Sequence, residues 1–134
     1  MDTAAVGAGA DLFDGAPQDA ATTQFLSNPG HHLLFAYDDA ERVVGMVSGV
    51  ETTHPDKGTE MFLYELSVAP PARGGGVATA LVRALATLAR HRGCYGMWVG
   101  TDSDNTAALA TYRRAGAREE APFVMLTWDF TTAG

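Results

Sequence analysis

The hydrophobic pattern of this chain changes its period several times, and each period predicts a type of element. Short, mostly apolar runs predict strands, whereas apolar residues spaced three or four apart predict helices. The predicted strands are residues 33–37, 42–50, 61–68, 95–101 and 123–130. The predicted helices are residues 19–26, 77–92 and 106–115. This order indicates one mixed α/β sheet with flanking helices.

Capping and turn residues bound several of these elements. Asn105 is a predicted N-cap, and Gly93 and Gly116 are predicted helix stops. Residues 52–59 contain Pro55 and Gly58 and are predicted to form a loop. Leu12 and Phe13 are expected to dock a short helical turn near the N-terminus.

Composition narrows the class of protein. The 134 residues suit one domain, predicted as residues 1–134, and 46% hydrophobic content suits a globular chain. No apolar run approaches the ~20 residues that span a bilayer, and the first ten residues lack signal-peptide regions. We therefore expect no membrane partner. Cys94, the single cysteine, suits a reducing cytoplasm and is expected to be structural rather than nucleophilic.

The net charge of −7 constrains the partners. Without a Lys/Arg stripe, a nucleic-acid surface is not expected. The net negative charge favours cationic small molecules as binding partners, or it serves solubility alone. His31 and His32 are adjacent and lack nearby partners, so no metal site is predicted. His54 lies in the predicted loop and is expected to be exposed, or to line a cleft.

Arg73, Gly74, Gly75 and Gly76 separate a predicted strand from a predicted helix. Bare backbone N–H groups and the positive end of a helix dipole converge at such a point, which favours phosphate. The spacing does not fit a P-loop, which needs Gly-Lys-Ser/Thr, or a dinucleotide fingerprint, which needs a third glycine where Thr79 stands. The alternative is a turn that binds nothing.

Two motifs then resemble the GNAT acetyltransferase superfamily. The first is the strand ending at Val68, the loop beginning at Arg73 and the helix that follows. The second places Asn105, Ala108, Tyr112 and Gly116 at the spacing Asn-x-x-Ala-x-x-x-Tyr-x-x-x-Gly. Within the superfamily, residues 64–68, 76–81 and 116–120 are similar to aminoglycoside 3-N-acetyltransferases. The first strand and helix of the family appear shortened here, since only about thirty residues precede the first hairpin.

The resemblance implies a fold and a cofactor. It implies a mixed, mostly antiparallel sheet with flanking helices, splayed at the strand that binds CoA. It also implies that acetyl-CoA is held by backbone and side-chain groups of these residues: Leu66, Ser67, Val68, Arg73, Gly74, Gly75, Gly76, Val77, Ala78, Thr79, Asn105, Ala108 and Tyr112. Arg73 as a solvated loop residue and Asn105 as a simple N-cap remain alternatives.

The resemblance further implies direct attack of an amine on the thioester, with Tyr112 as the general acid. Glu65 interrupts an apolar strand, where an unneeded carboxylate is costly, and is the candidate base. Glu119, Glu120 and Asp129 are candidates for binding a cationic acceptor, together with Glu65. The alternatives are a core role for Tyr112, a solvated or arginine-paired Glu65, and ordinary surface charges for the other three.

The resulting hypothesis is an acetyl-CoA-dependent N-acetyltransferase acting on a small cationic amine, most specifically on an aminoglycoside, which would confer antibiotic resistance. The alternatives are another amine (a polyamine, an amino acid or a protein N-terminus) and an acyl-CoA-binding module without turnover. A homodimer is possible, with the strand predicted at residues 123–130 as its interface.

Overall fold

A computed structural model describes residues 1–120 and 122–131. The strands are β1 (His31–Tyr37), β2 (Val43–His54), β3 (Gly58–Val68) and β4 (Met97–Trp98). The helices are α1 (Thr3–Ala8), α2 (Asp19–Ser27), α3 (Val77–His91) and α4 (Thr106–Arg114). Short 3₁₀ turns occur at Ala10–Leu12 and Pro70–Ala72. The predicted mixed α/β class and its three helices are confirmed, and Leu12 is buried in the predicted N-terminal turn.

The four strands form one open sheet in the order β1-β2-β3-β4. The β1–β2 and β2–β3 pairs are antiparallel, and the β3–β4 pair is parallel. Parallel pairing joins only Met61 to Met97 and Phe62 to Trp98. The rest of β3 does not pair with β4, so the sheet is open between these strands, as the resemblance implies.

Helix α3 covers one face of the sheet. The buried core between them consists of Val47, Met61, Leu63, Leu81, Val82, Leu85 and Ala89. Gly49 permits the close approach, because a Cβ there would lie 2.9 Å from the Met61 sulfur and 3.0 Å from the Leu85 methyl groups. Leu12 and Met46 are buried on the opposite face. No described helix has the length and apolarity that a membrane span requires.

A β-bulge interrupts the β2–β3 ladder at Tyr64. Ser48 pairs with Glu65 and Gly49 pairs with Leu63, which leaves Tyr64 without a partner. The extra residue keeps both Leu63 and Leu66 on the α3 side although they are three positions apart. Glu65 consequently lies on the opposite face, and Tyr64 is 65% exposed.

The loop predicted at residues 52–59 is wrong for most of its length. β2 continues to His54 and β3 begins at Gly58, which has a φ of +91°. The Thr53 and Thr59 hydroxyls are hydrogen-bonded across the strands at 2.8 Å, and His54 Nε2 lies 3.1 Å from a Glu60 oxygen. These cross-strand contacts extend a hairpin that local turn residues alone did not predict.

The two C-terminal strand predictions are also wrong. Residues 95–101 contain only the two-residue β4, because β4 pairs with β3 over two residues and then leaves it. Residues 123–130 form no strand in the described part of the chain. Their large apolar side chains are exposed, from 65% at Phe123 to 91% at Phe130. Alternation produces a strand only where a neighbouring strand supplies hydrogen bonds. A dimer through this segment stays a prediction.

Candidate functional site

The glycine loop has a backbone that few residues other than glycine adopt. Gly74 and Gly76 have φ values of +82° and +84°, whereas Gly75 has no positive φ. A Cβ built at Gly74 or Gly76 meets nothing within 4 Å, so the loop surface is open. Gly76 is the N-cap of α3, and the Ala80 N–H donates to its carbonyl at 3.0 Å. The N–H groups of residues 77–79 precede this first helical bond and have no intrahelical acceptor.

Arg73 links the glycine loop to the end of β3. Its Nε donates to the Val68 carbonyl at 3.0 Å, and the residue is otherwise exposed. The guanidinium therefore lies where the strand and the loop meet. A cation at this point adds to the positive potential of the α3 N-terminus.

Beyond the short β3–β4 ladder a gap opens beside β3, and hydrogen bonds fix which backbone groups of β3 face it. The Ala69 N–H donates to Val44 of β2 at 2.8 Å, whereas the Val68 carbonyl accepts from Arg73 on the other side. Alternation along an antiparallel strand then directs the backbone groups of Leu66 and Val68 away from β2. On the side away from β2, no described strand pairs with this stretch of β3. Leu66 and Val68 thus offer a free edge to an extended ligand, while Ser67 pairs toward Met46 of β2.

Glu65 lines a cavity on the sheet face opposite α3. Its Oε1 accepts a hydrogen bond of 2.9 Å from the hydroxyl of buried Ser48, its partner on β2. Glu65 is half-buried, and no arginine pairs with it among the described residues. The cavity measures about 270 Å³ and is lined by Leu12, Asp14, Met46, Tyr64, Glu65, Leu66 and Ser67.

Two of these lining residues were missed from sequence. Asp14 lies in the Ala/Gly-rich N-terminal segment, where no periodicity singles it out. Tyr64 is aimed at the cavity by the bulge, whose position depends on β2. The signal for Asp14 was the predicted docking of Leu12, which brings the N-terminal segment to this face, and the signal for Tyr64 was its place in the matching residues 64–68.

Tyr112 lies on the other side of the sheet from Glu65. It lies on α4 and packs half-buried against the core between α3 and the sheet. Burial raises the pKa of its phenol, so the hydroxyl stays protonated at neutral pH. Since Glu65 lies on the opposite face, the two groups can act on one ligand only through the gap between β3 and β4.

Asn105 caps helix α4. Its Oδ1 accepts from the Ala108 N–H at 3.1 Å, which is the capping role weighed as an alternative. The cap occupies the side-chain oxygen, and the amide nitrogen has no hydrogen-bond acceptor in the described part of the chain. Asn105 therefore retains a donor for a ligand while it fixes the start of α4.

Glu119, Glu120 and Asp129 do not line the cavity that contains Glu65. Glu119 pairs with Arg113, and Glu120 lies 3.5 Å from Arg118. Asp129 accepts hydrogen bonds from the backbone and hydroxyl of Thr131. The predicted acceptor-binding carboxylates are thus dispersed, and Asp14 stands with Glu65 instead.

Cys94 lacks the features of a nucleophile. It is half-buried, and desolvation together with the nearby Glu51 carboxylate raises the pKa of its thiol. Thiolate formation is therefore disfavoured. Across residues 1–120 and 122–131, no three His, Cys, Asp or Glu side chains are grouped as metal ligands.

Together, the loop and the free edge match an elongated ligand with a phosphate at one end. The N–H groups of the loop and of the first turn of α3 suit pyrophosphate. The outward N–H and carbonyl of Leu66 and the N–H of Val68 suit an amide-containing arm, as in addition of a strand to a sheet edge. Acetyl-CoA has both parts, and the residues present fit it.

Comparisons with known proteins agree with this geometry. Residues 9–117 match the Acetyltransferase (GNAT) family. A mycothiol acetyltransferase from Pseudarthrobacter chlorophenolicus is 36% identical over 87 residues, which cover 63% of this chain and 26% of that protein. The chain spans between 26% and 52% of the length of the curated relatives that it matches.

Solved structures share the fold. An aminoglycoside acetyltransferase, HMB0005, from an uncultured soil metagenomic sample has a TM-score of 0.73 and 28% identity, covering 86% of this chain and 77% of that one. AAC(6′)-Iy, in complex with the bisubstrate analogue CoA-S-monomethyl-acetylneamine, has a TM-score of 0.82 and 21% identity, covering 96% and 95%. At that identity the second likeness shows the fold alone.

The glycine loop generates a prediction about CoA affinity. Gly76→Ala is expected to weaken CoA binding about tenfold, because the left-handed conformation costs a non-glycine residue roughly 1–2 kcal/mol. Gly75→Ala is the matched control, since its φ is ordinary and the added Cβ would lie 3.6 Å from the Ala72 carbonyl oxygen. Calorimetric titration with CoA measures both. Equal losses in the two variants would contradict the role assigned to the αL glycine.

Proposed function

The chain belongs to the GNAT acetyltransferase family, and on that premise we propose that it transfers the acetyl group of acetyl-CoA to a primary amine. The observation that carries the proposal is the meeting of two features at one end of β3. The glycine loop before α3 follows directly on the free edge of the strand. One elongated ligand can occupy both, and it then ends beside Glu65.

The cofactor would be held mainly by backbone groups. The N–H groups of residues 74–79 would take the pyrophosphate, with Arg73 adding charge. The free edge of Leu66 and Val68 would take the pantetheine arm, with the Asn105 amide as a further donor. When bound, acetyl-CoA supplies an acetyl thioester that an amine can attack directly. A backbone N–H near Val68 would donate to the thioester carbonyl oxygen and stabilise its developing charge.

Glu65 would remove the proton of the acceptor amine, directly or through a water molecule. An amine with a pKa of ~10.4 is almost fully protonated at neutral pH, and removing its proton costs roughly 4–5 kcal/mol. The hydrogen bond from Ser48 fixes one carboxylate oxygen of Glu65 and leaves the other for the proton. The cavity beside it is open to an acceptor.

Tyr112 would protonate the departing CoA thiolate. Its raised phenol pKa keeps a proton available at neutral pH. It lies on the α3 side of the sheet and Glu65 lies on the other, so the base and the acid would act from opposite faces. This arrangement separates the incoming amine from the leaving sulfur.

The acceptor is proposed to be an aminoglycoside. Asp14 and Glu65 in one cavity, with a net charge of −7, favour a polycation. The motifs of residues 64–68, 76–81 and 116–120 resemble 3-N-acetyltransferases, whereas the structural neighbour AAC(6′)-Iy carries the 6′ position in its name. The 3-amino group is our proposal, and antibiotic resistance would be its consequence.

An acetyl-transfer assay tests the proposed function. Protein, acetyl-CoA and neamine are expected to release free thiol, with spermine, an amino acid and a short peptide as alternative acceptors. NMR of the product locates the acetyl group at position 3 or 6′. Turnover with one of the other amines but not with neamine would identify that class of amine as the acceptor instead of an aminoglycoside. CoA binding without turnover on any amine would contradict the enzyme and indicate an acyl-CoA-binding module.

The two catalytic roles predict separate signatures. Tyr112→Phe and Glu65→Gln are each expected to lower kcat about 10²-fold, because each removes one proton transfer. CoA affinity should stay within twofold of the parent, since neither change touches the loop. Only Glu65→Gln should also raise KM for the amine, because Glu65 lines the acceptor cavity. Rates unchanged by either substitution would refute that residue's assignment.

A further inference from the structure

An exposed row of aromatic side chains lies beside the Glu65 cavity. Phe62 and Trp98 are paired across β3 and β4, with ring centroids 4.3 Å apart and ring planes inclined by 27°. Tyr64 meets Phe62 edge-on, with centroids 5.7 Å apart. Trp98 is 44% exposed and Tyr64 is 65% exposed. The core on the α3 side uses none of the three.

This row is continuous with the proposed acceptor site. Phe62 alternates with core residues Met61 and Leu63, so it lies on the face away from α3. Glu65 lies on that same face after the bulge, and Tyr64 both lines the cavity and touches Phe62. An acceptor that extends out of the cavity would therefore contact the aromatic row.

Carboxylates stand at both ends of the row. Asp14 and Glu65 line the cavity at one end. At the other end Glu60 lies two residues before Phe62, accepting from the Tyr95 hydroxyl at 2.9 Å and pairing with His54 at 3.1 Å. These two hydrogen bonds, that of His54 first, lower the pKa of Glu60 and keep it anionic. The surface is thus complementary to a molecule with rings and several ammonium groups.

Resting on the proposed function, we infer that Trp98, stacked on Phe62, is the platform for a ring of the acceptor, and that the acceptor is a multi-ring amino sugar. The flat face of Trp98 contacts the saturated ring, and the ring's ammonium groups are attracted to the aromatic face and to Glu60. The subsite therefore discriminates between ring-bearing and linear polyamines, which carry similar charge but present no flat surface to Trp98.

The chain contains two tryptophans, which makes binding directly observable. Trp128→Phe leaves Trp98 as the sole indole fluorophore. Titration with neamine is expected to change its emission saturably, whereas spermine at matched ionic strength should change it little. This measurement needs no turnover, so it stands independently of catalysis. Equal responses to neamine and spermine, or none to neamine, would overturn the platform.

Kinetics of a second variant give the complementary test. Trp98→Leu should raise KM for neamine about tenfold, as expected for loss of roughly 1.4 kcal/mol of stacking and cation–π contact. KM for spermine and the Kd of CoA should change less than twofold. Tyr37→Leu is the control, since Tyr37 is a 57% exposed aromatic at the end of β1. Equal KM changes for both amines would contradict the inference.

The outcomes separate the two proposals. Acetylation of neamine with no effect of the Trp98 substitution or on Trp98 emission would support the proposed activity and contradict the role of Trp98 as a platform. A saturable change in Trp98 emission without acetylation of any amine would contradict the proposed activity and support the binding surface at Trp98. Where Trp98→Leu fails to bind CoA and so has lost its fold, the fluorescence titration of Trp128→Phe still decides.

Discussion

The site depends on how little of β3 is paired with β4. Their ladder covers two residue pairs, after which the strands part. The outward backbone groups of Leu66 and Val68 then lack a strand partner, although each peptide group favours a hydrogen bond. Full pairing along β3 would bury this edge and close the passage between the two faces. In the proposed function, the splay provides the binding edge and is what would let Glu65 and Tyr112 act on one ligand from opposite faces.

Two local features support this constraint. The bulge at Tyr64 restores the apolar side chains of β3 to the α3 face, so the strand stays anchored to the core while its edge is free. Arg73 then ties the Val68 carbonyl to the glycine loop. The strand end, the loop and the α3 N-terminus are therefore held as one unit. In the proposed function, a ligand that binds the loop would be aligned along the strand edge.

The sequence predicted the features that depend on residues close together in the chain. The apolar face of α3, the helix stops at Gly93 and Gly116 and the cap at Asn105 all rest on neighbours within a few residues. Strand pairing is not local, so the short β4, the extended hairpin at residues 52–59 and the absence of a strand at residues 123–130 were mispredicted. Asp14 was missed for the same reason, because only the tertiary fold brings it to Glu65.

Amide hydrogen exchange with and without CoA tests the central claim most directly. The account predicts that CoA slows exchange at Leu66 and Val68 and in residues 74–79 together, while the β1–β2 ladder is unchanged. Protection confined to the glycine loop, with Leu66 and Val68 exchanging as fast as in the free protein, would contradict the claim that the free edge of β3 holds the ligand.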